Sequence, residues 1–187
     1  MNRNLILLFL FFLINISFSQ TISKKQSDSL KQEIVKIYRE VYWSALPKQK
    51  GWVNDYEKIL SDNEEKKLDS LISKYERETS IEIAIVTIDT IKVAENNFEA
   101  LSLHIAKTWG VGKKGKDNGI LIAFSKGYKN IRIQNGNGIE KIFSNEDTSK
   151  IIENDFIPEF KMGNYYQGLT NGIIKIMEYL RGRIQED

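Results

Sequence analysis

Residues 106–125 read AKTWGVGKKGKDNGILIAFS, and they run from the end of a predicted helix, through a glycine- and lysine-rich loop, into a predicted strand. Residues 110–116 fit G-x-x-x-x-G-K, and the glycines of the stretch also fit G-x-G-x-x-G. Nucleotide-binding loops of both kinds lie instead between a strand and the helix that follows it, where the helix N-terminus faces the phosphates. Asp117 also stands where a P-loop has a serine or threonine for magnesium. We therefore expect a turn that opens a strand, and no bound nucleotide.

Helical and strand patterns alternate on both sides of this stretch. Apolar residues spaced three and four apart predict a helix that Ser61 caps. The same spacing predicts further helices over residues 24–43, 95–109, 146–157 and 164–180. Pro158 and KMGN separate the last two of these helices. Apolar, β-branched runs predict strands over residues 81–88, 119–124 and 131–134, and residues 52–60, WVNDYEKIL, are expected to be extended.

The order of these elements predicts the fold. A strand, a helix and a second strand favour a right-handed parallel crossover, and the next two strands form a hairpin. The predicted fold class is therefore α/β: a three-layer α/β/α sandwich with a small mixed sheet flanked by helices on both faces.

The N-terminus has the pattern of a secretory signal peptide. Arg3 precedes an apolar run over residues 5–18, and Ser17 and Ser19 suit cleavage between Ser19 and Gln20. An uncleaved membrane anchor is the alternative. We expect residues 1–19 to be a leader, residues 20–50 a helical extension and connector, residues 51–181 the main domain and residues 182–187 a tail. The mature protein would then be periplasmic or secreted.

Composition excludes several classes of function. The chain has 187 residues and no cysteine, which excludes a disulfide framework, a thiol nucleophile and thiolate metal sites. The formal net charge is only +2, and charges of both signs are interspersed, so nothing in the sequence indicates a nucleic-acid partner. We expect a monomer.

Oxygen-bearing side chains gather at one predicted edge of the sheet. If the last two strands form a hairpin, residues 135–147 emerge beside the start of its first strand. The oxygen-bearing residues at this edge are Asp117, Asn118, Glu140, Asn145 and Asp147. Such residues on loops suit a hard divalent cation, calcium or magnesium. The alternative is local, because Asp and Asn are also ordinary turn formers and helix caps.

Four segments of the chain resemble the TPM domain family: VNDYEKILS at residues 53–61, YERETSIEIAIVTI at residues 75–88, the opening stretch, and IRIQNGNGIE at residues 131–140. The most specific feature is W-G-x-G-x-x-G-x-D-N-G-x-L. The resemblance implies an α/β/α sandwich in an exported, membrane-tethered or thylakoid-lumenal protein. Lumenal members are described as acid phosphatases, an animal member modulates an acetylcholine receptor, and several members bind calcium or other divalent ions in an acidic cleft.

The same resemblance implies roles for individual residues. Asp55, Asp117 and Glu140 match acids of the family's motifs, and Arg132 matches an arginine that would contact an anion. Asn145 stands where the family often has an aspartate. Together with the residues of the sheet edge, the predicted metal ligands are Asp55, Asp117, Asn118, Glu140, Asn145 and Asp147.

Two functions follow from these residues and the resemblance. One is a non-catalytic module that binds a divalent cation and a protein partner, in an envelope or membrane complex. The other is a metal-dependent acid phosphatase, in which the ion polarises a phosphoryl oxygen and Arg132 meets the phosphate. The only histidine, His104, lies mid-helix beside the core stripe, where packing is the expected role.

Overall fold

The computed structural model describes residues 24–183, so the predicted leader and its cleavage point lie outside the described residues. The helices are α1 (Lys24–Ser44), α2 (Asp62–Thr79), α3 (Phe98–Trp109, entered through a 3-10 turn at Glu95–Asn97), α4 (Asn137–Glu140), α5 (Asn145–Ile151), α6 (Ile157–Lys161) and α7 (Tyr165–Arg181). The strands are β1 (Val53–Asp55), β2 (Glu82–Thr87), β3 (Gly119–Ser125) and β4 (Asn130–Asn135).

The four strands form one mixed sheet in the order β1-β2-β3-β4. β1, β2 and β3 are parallel, and β4 runs antiparallel to β3, so the predicted crossover and hairpin are confirmed. The edge strand β1 was absent from the predicted order. It has only three residues, which is too few to show a periodic pattern.

Helices cover both faces of the sheet, as predicted. Ile83, Ile85 and Ile122 point to one face and share a buried cluster with side chains of α2 and α7. The alternating residues Ala84 and Leu121 point to the other face and are buried with side chains of α3. The two apolar clusters make the three-layer α/β/α sandwich, in which α3 lies on one face and α2 and α7 lie on the other.

The helical region around Pro158 differs from the prediction. The sequence predicted a break at this proline, but the chain continues from α5 through a π-helical turn at Ile152–Phe156 into α6. In that turn Ile157 donates its N–H to the carbonyl oxygen of Ile152, five residues back. Pro158, which has no N–H to donate, falls in the first turn of α6, where none is needed.

Helix α1 crosses the boundary between two compact units, which lies between Tyr38 and Arg39. The second unit contains the whole sheet and helices α2 to α7. Over residues 24–183, no helix combines the length and the apolar character that a membrane span requires.

Candidate functional site

The loop before β3 and the loop after β4 are joined by backbone hydrogen bonds. Gly136 donates its N–H to the carbonyl oxygen of Gly119 (2.8 Å), and Gly138 donates its N–H to that of Asp117 (3.0 Å). The expectation that the hairpin brings residues 135–140 to the edge of the sheet beside Asp117 is therefore confirmed.

The two glycines of the second loop are required by this close approach. A Cβ atom added to Gly138 would collide with the carbonyl oxygen of Lys116, and one added to Gly136 would collide with that of Asp117. Any larger residue at either position would push the loops apart.

A cleft of about 620 Å³ opens between these two loops and helix α3. Asp117 and Glu140 supply its acidic side chains, and both residues are exposed. In the part of the chain that the structure describes, neither carboxylate has a hydrogen-bond or ion-pair partner. Lys107, Lys113 and Lys114 also line the cleft, so its charge is mixed rather than acidic.

Asp117 is held at the cleft by its own backbone. Its φ of 48° lies in the left-handed region, which aspartate and asparagine enter more readily than most other residues do. Its N–H donates to the carbonyl oxygen of Lys113 (3.1 Å), and its carbonyl accepts from Gly138. The backbone is thus fixed from both sides while the carboxylate is left available to a ligand.

Asn118 is a structural residue of the first loop. Its side-chain NH₂ donates to the carbonyl oxygen of Ser80 (2.7 Å), and its Oδ1 accepts from the N–H of Lys113 (2.8 Å). The bond to Ser80 ties the loop to the segment that leads into β2, and the bond from Lys113 fixes the turn within the loop itself. For this residue the hydrogen bonds support the turn-forming alternative.

Asn145 and Asp147 lie outside the residues that line the cleft. Asn145 is exposed at the first position of α5. Asp147 accepts hydrogen bonds from the hydroxyls of Tyr179 (2.6 Å) and Ser144 (2.7 Å), and its N–H donates to Ser144 in the cap of α5. The Tyr179 bond, followed by the Ser144 bond, holds the pKa of the Asp147 carboxyl below its usual value. Asp147 thus has structural partners.

Asp55 lies at the opposite end of the sheet from Asp117. In the parallel register, Asp55 is beside Thr87, the last residue of β2, whereas Gly119 is beside Glu82, the first residue of β2. A strand of six residues therefore separates the two ends, about 16 Å at 3.3 Å per residue. The structure does not bring Asp55 to the cleft.

The surroundings of Asp55 explain why an aspartate stands there. Its carboxylate accepts hydrogen bonds from the hydroxyl of Thr87 (2.7 Å) and from the backbone N–H of Leu60 (2.8 Å). The Thr87 hydroxyl in turn accepts from the backbone N–H of Glu57 (2.8 Å). These bonds hold the segment after β1 against the end of β2, away from Asp117, so the prediction that Asp55 joins the ligands of the cleft is not met by this geometry.

Arg132 is also placed away from the cleft. It lies within β4, where its Nη1 donates to Asn130 Oδ1 and to the Ile131 carbonyl oxygen, both at 3.0 Å. Its Nε lies 3.6 Å from Glu99 Oε2 on α3. The guanidinium therefore bridges the edge strand and the helix, and it is not among the groups that line the cleft.

Lys113 has a structural role that no pattern in the sequence indicated. Its ammonium lies 2.7 Å from Glu76 Oε1 and 2.9 Å from Glu82 Oε1. The hydrogen bond to Glu76, followed by that to Glu82, raises the pKa of Lys113. Glu82 also accepts the N–H of Gly112 (2.8 Å). Lys113 therefore fastens the loop to the end of α2 and the start of β2.

His104 serves in packing. Its ring stacks on Trp43 with centroids 4.4 Å apart, and its Nε2 lies 3.0 Å from the Trp43 carbonyl oxygen. It does not line the cleft, and neither does any serine, threonine, tyrosine or cysteine. The residues around the cleft therefore include neither a hydroxyl nor a thiol nucleophile, nor an imidazole base.

The lining of the cleft is closer to that of a hydrated magnesium site than to that of a dedicated calcium site. Calcium in a dedicated protein site takes six to eight oxygen ligands, whereas magnesium keeps several waters and needs only one or two carboxylates. Asp117 and Glu140 supply two carboxylates, and residues 24–183 contain no group of three Asp, Glu, His or Cys side chains that could hold a metal ion. The arrangement suits a hydrated ion bound at two points.

Comparison with known proteins agrees with the fold and places the chain in a family. The family model of the TPM domain matches residues 53–179. The chain belongs to the TPM domain family. No curated protein matches the chain.

Several solved structures share this fold. The N-terminal domain of a Porphyromonas gingivalis protein is 30% identical, with 70% of this chain and 82% of that chain covered and a TM-score of 0.63. The BA42 protein of Bizionia argentinensis is 28% identical, with coverages of 68% and 85% and a TM-score of 0.59. The N-terminal domain of a Corynebacterium glutamicum protein is 12% identical, with coverages of 76% and 90% and a TM-score of 0.54, and shows the fold alone.

Proposed function

We propose that this TPM-domain protein is an exported, non-catalytic module that binds a hydrated divalent cation in the cleft between Asp117 and Glu140. One observation carries the proposal. Two carboxylates that have no partner among residues 24–183 line one cleft, and the loops that present them are tied together by the hydrogen bond from Gly138 to Asp117. A cation that contacted both carboxylates would be attracted by two negative charges.

The affinity expected of such a site is low. Only two protein carboxylates line the cleft, and Lys107 and Lys114 line it as well. Their positive charge repels a cation that enters the same cleft. We expect a dissociation constant of roughly 10⁻⁴ to 10⁻³ M, the range of weak extracellular calcium modules.

The open coordination positions of such an ion provide a way for a partner protein to bind. An ion held by two carboxylates keeps coordination positions that water fills. A carboxylate or carbonyl oxygen of a protein partner at the cell envelope can replace those waters, while the lysines of the loop meet the partner's acidic groups. The cleft would then act as a metal-bridged contact surface. This proposal agrees with export by the predicted leader, which lies outside the described residues.

The side chains around the cleft favour binding over hydrolysis. A phosphatase of this size needs a nucleophile or an activated water, an acid–base group and a contact for the phosphate. His104 is stacked on Trp43, and Arg132 pairs with Glu99 on a different part of the molecule. The geometry therefore gives the phosphatase alternative no positioned residue of its own beyond the two carboxylates.

Calorimetric titration with Mg²⁺ and with Ca²⁺ tests the proposal. Asp117→Asn combined with Glu140→Gln removes both charges and keeps the shapes, and asparagine tolerates the left-handed backbone at position 117. We expect the dissociation constant to rise at least about tenfold, a loss of 1.4 kcal/mol or more. Glu153→Gln, an exposed acid outside the cleft, is the matched control and should bind as the wild type does.

Two results would contradict the proposal. The first is unchanged affinity in the double variant. The second is turnover of a chromogenic phosphate ester, at pH 5 or pH 7, that needs the metal ion and is lost in Asp117→Asn but kept in Glu153→Gln. That result would establish the phosphatase instead.

A further inference from the structure

The cleft between Asp117 and Glu140 is larger than a hydrated ion requires. Its volume of about 620 Å³ lies within the range of roughly 300–1,000 Å³ that is usual for ligand pockets. A divalent ion with six waters fills about 200 Å³, since each water takes about 30 Å³. About two-thirds of the cleft therefore remains for a further ligand.

One part of the cleft is an apolar wall, made of Leu103 and Ala106 of α3, Val111 of the following loop and Leu121 of β3. Leu121 is fully buried, and Ala106 and Val111 pack against the same apolar cluster on the α3 face of the sheet. Leu103 precedes Ala106 by three residues, on the same side of α3, and has 41% of its surface accessible to solvent. Such a wall in an otherwise polar cleft suits the aliphatic part of a ligand.

Two lysines give the cleft its positive charge. Lys107 follows Leu103 by four residues on the same side of α3, and Lys114 lies in the loop before β3. Neither ammonium has an ion pair among residues 24–183. A divalent cation bound to Asp117 and Glu140 would neutralise the two carboxylates, so the charge of the lysines would then attract an anionic group.

We propose that the cation-loaded cleft binds a segment of a partner protein in which an acidic residue lies next to a large aliphatic one. This inference rests on the cation site of the proposed function. The carboxylate of the segment replaces water on the ion and faces Lys107 and Lys114, while the aliphatic side chain lies on the apolar wall. A free fatty acid is a poorer match, because an alkyl chain against the exposed Leu103 would stay in contact with water. A protein partner covers that side with its own surface.

A ¹H–¹⁵N NMR titration of the protein in excess Mg²⁺ tests the proposal, with a leucyl-aspartyl dipeptide whose two ends are blocked. We expect saturable shifts of the amide signals of Leu103 and Val111. Replacing the leucine of the dipeptide with alanine should weaken binding at least about fivefold, because fewer apolar carbons are buried on the wall. Replacing its aspartate with asparagine, or removing Mg²⁺ with EDTA, should weaken binding by a similar factor.

Variants of the protein separate the lysines from the apolar wall. Lys107→Met should bind the dipeptide more weakly but Mg²⁺ alone more tightly, because it removes a charge that attracts a carboxylate and repels the ion. Leu103→Ser should lose the preference for the leucyl over the alanyl dipeptide. Ile91→Ser, at a 44% exposed position that does not line the cleft, is the matched control and should keep that preference.

The titrations distinguish failure of this inference from failure of the cation site. A protein that shows no saturable response to Mg²⁺ alone would exclude both. A protein that binds Mg²⁺ but binds the leucyl and alanyl dipeptides equally, or binds the leucyl dipeptide equally with and without Mg²⁺, would overturn only the proposed partner. Hexanoate that binds as tightly as the leucyl-aspartyl dipeptide would assign the cleft to a free carboxylic acid instead.

Discussion

Gly138 donates its backbone N–H to the carbonyl oxygen of Asp117 at 3.0 Å, and this bond holds together the two loops that form the cleft. It exists because β3 and β4 pair as a hairpin, so that the start of one strand lies beside the end of the other. The positions of the two carboxylates of the cleft therefore depend on backbone geometry rather than on any contact between the side chains themselves.

Gly138→Ala should open the cleft. Its Cβ would meet the carbonyl oxygen of Lys116, so the loops must separate, at a cost of about 1–3 kcal/mol in the free energy of unfolding. Urea denaturation measures the loss, and a cation titration should show weaker binding. Gly182→Ala is the control, since Gly182 has a φ of −69° and no close neighbour, and it should change neither quantity.

Asp55→Asn should separate stability from cation binding. The substitution weakens the acceptor for the Thr87 hydroxyl and the Leu60 N–H, and we expect a loss of about 1–3 kcal/mol of stability. Because Asp55 lies at the other end of the sheet, the dissociation constant for Mg²⁺ or Ca²⁺ should stay as in the wild type. A large loss of cation affinity in a folded Asp55→Asn protein would show that the ion binds at that end instead.

Lys113→Met should loosen the loop that bears Asp117. The substitution keeps much of the aliphatic chain but removes the ion pairs with Glu76 and Glu82. We expect a small fall in melting temperature, faster proteolysis of residues 110–117, and a reduced effect of added salt on stability, since salt screens the pairs in the wild type. Lys114→Met, at an exposed position without an ion pair among the described residues, should melt as the wild type does.

The bond between Tyr179 and Asp147 should make stability depend on pH. It lowers the pKa of the Asp147 carboxyl from its ordinary 3.8, with a smaller contribution from Ser144. A carboxyl with a lower pKa in the folded state stabilises the fold above its ordinary pKa, and this stabilisation is lost as the pH falls through the folded value.

Tyr179→Phe should therefore be destabilised near neutral pH, and its difference from the wild type should shrink as the pH falls below 3.8. Denaturation at a series of pH values measures the difference, and an NMR titration of the Asp147 carboxyl should show its pKa rising in the variant. Tyr165→Phe removes a hydroxyl that does not contact Asp147. It should change neither the pH dependence of stability nor the pKa of the Asp147 carboxyl. A difference between wild type and Tyr179→Phe that stays constant with pH would exclude this coupling.

Gly172→Ala should damage the packing of α7. A Cβ atom at Gly172 would collide with the ring of Phe156, which is fully buried and comes from the π-helical turn. Neither the ring nor the helix can move without opening the core, so we expect a loss of about 1–3 kcal/mol in urea denaturation. Replacing Phe156 with leucine in the same chain should recover part of this loss, and a variant pair without such recovery would contradict the packing account.

Local pattern was sufficient to predict the sheet edge at the cleft. The apolar run at residues 119–124 and the alternating run at residues 131–134 defined a hairpin, and the hairpin alone placed Asp117 near Glu140. Both predictions concern residues that are close together in the sequence, and there periodicity and turn residues indicate the structure.

Long-range contacts explain what the sequence did not reveal. β1 has three residues, so its pairing with β2 and the position of Asp55 depend on tertiary packing that no periodic pattern records. The partners of Lys113 lie on α2 and β2, far away along the chain. Asn145 and Asp147 were grouped with the cleft because they follow it closely in sequence, but the cap of α5 and Tyr179 place Asp147 elsewhere.

The most direct test of the cation site is a ¹H–¹⁵N NMR titration of the folded protein with Mg²⁺ and with Ca²⁺. Our account predicts saturable shifts of the amide signals at Asp117, Gly138 and Glu140, with little change at Leu60 and Thr87. Shifts centred on Leu60 and Thr87, or no saturable shift at either end of the sheet, would contradict it.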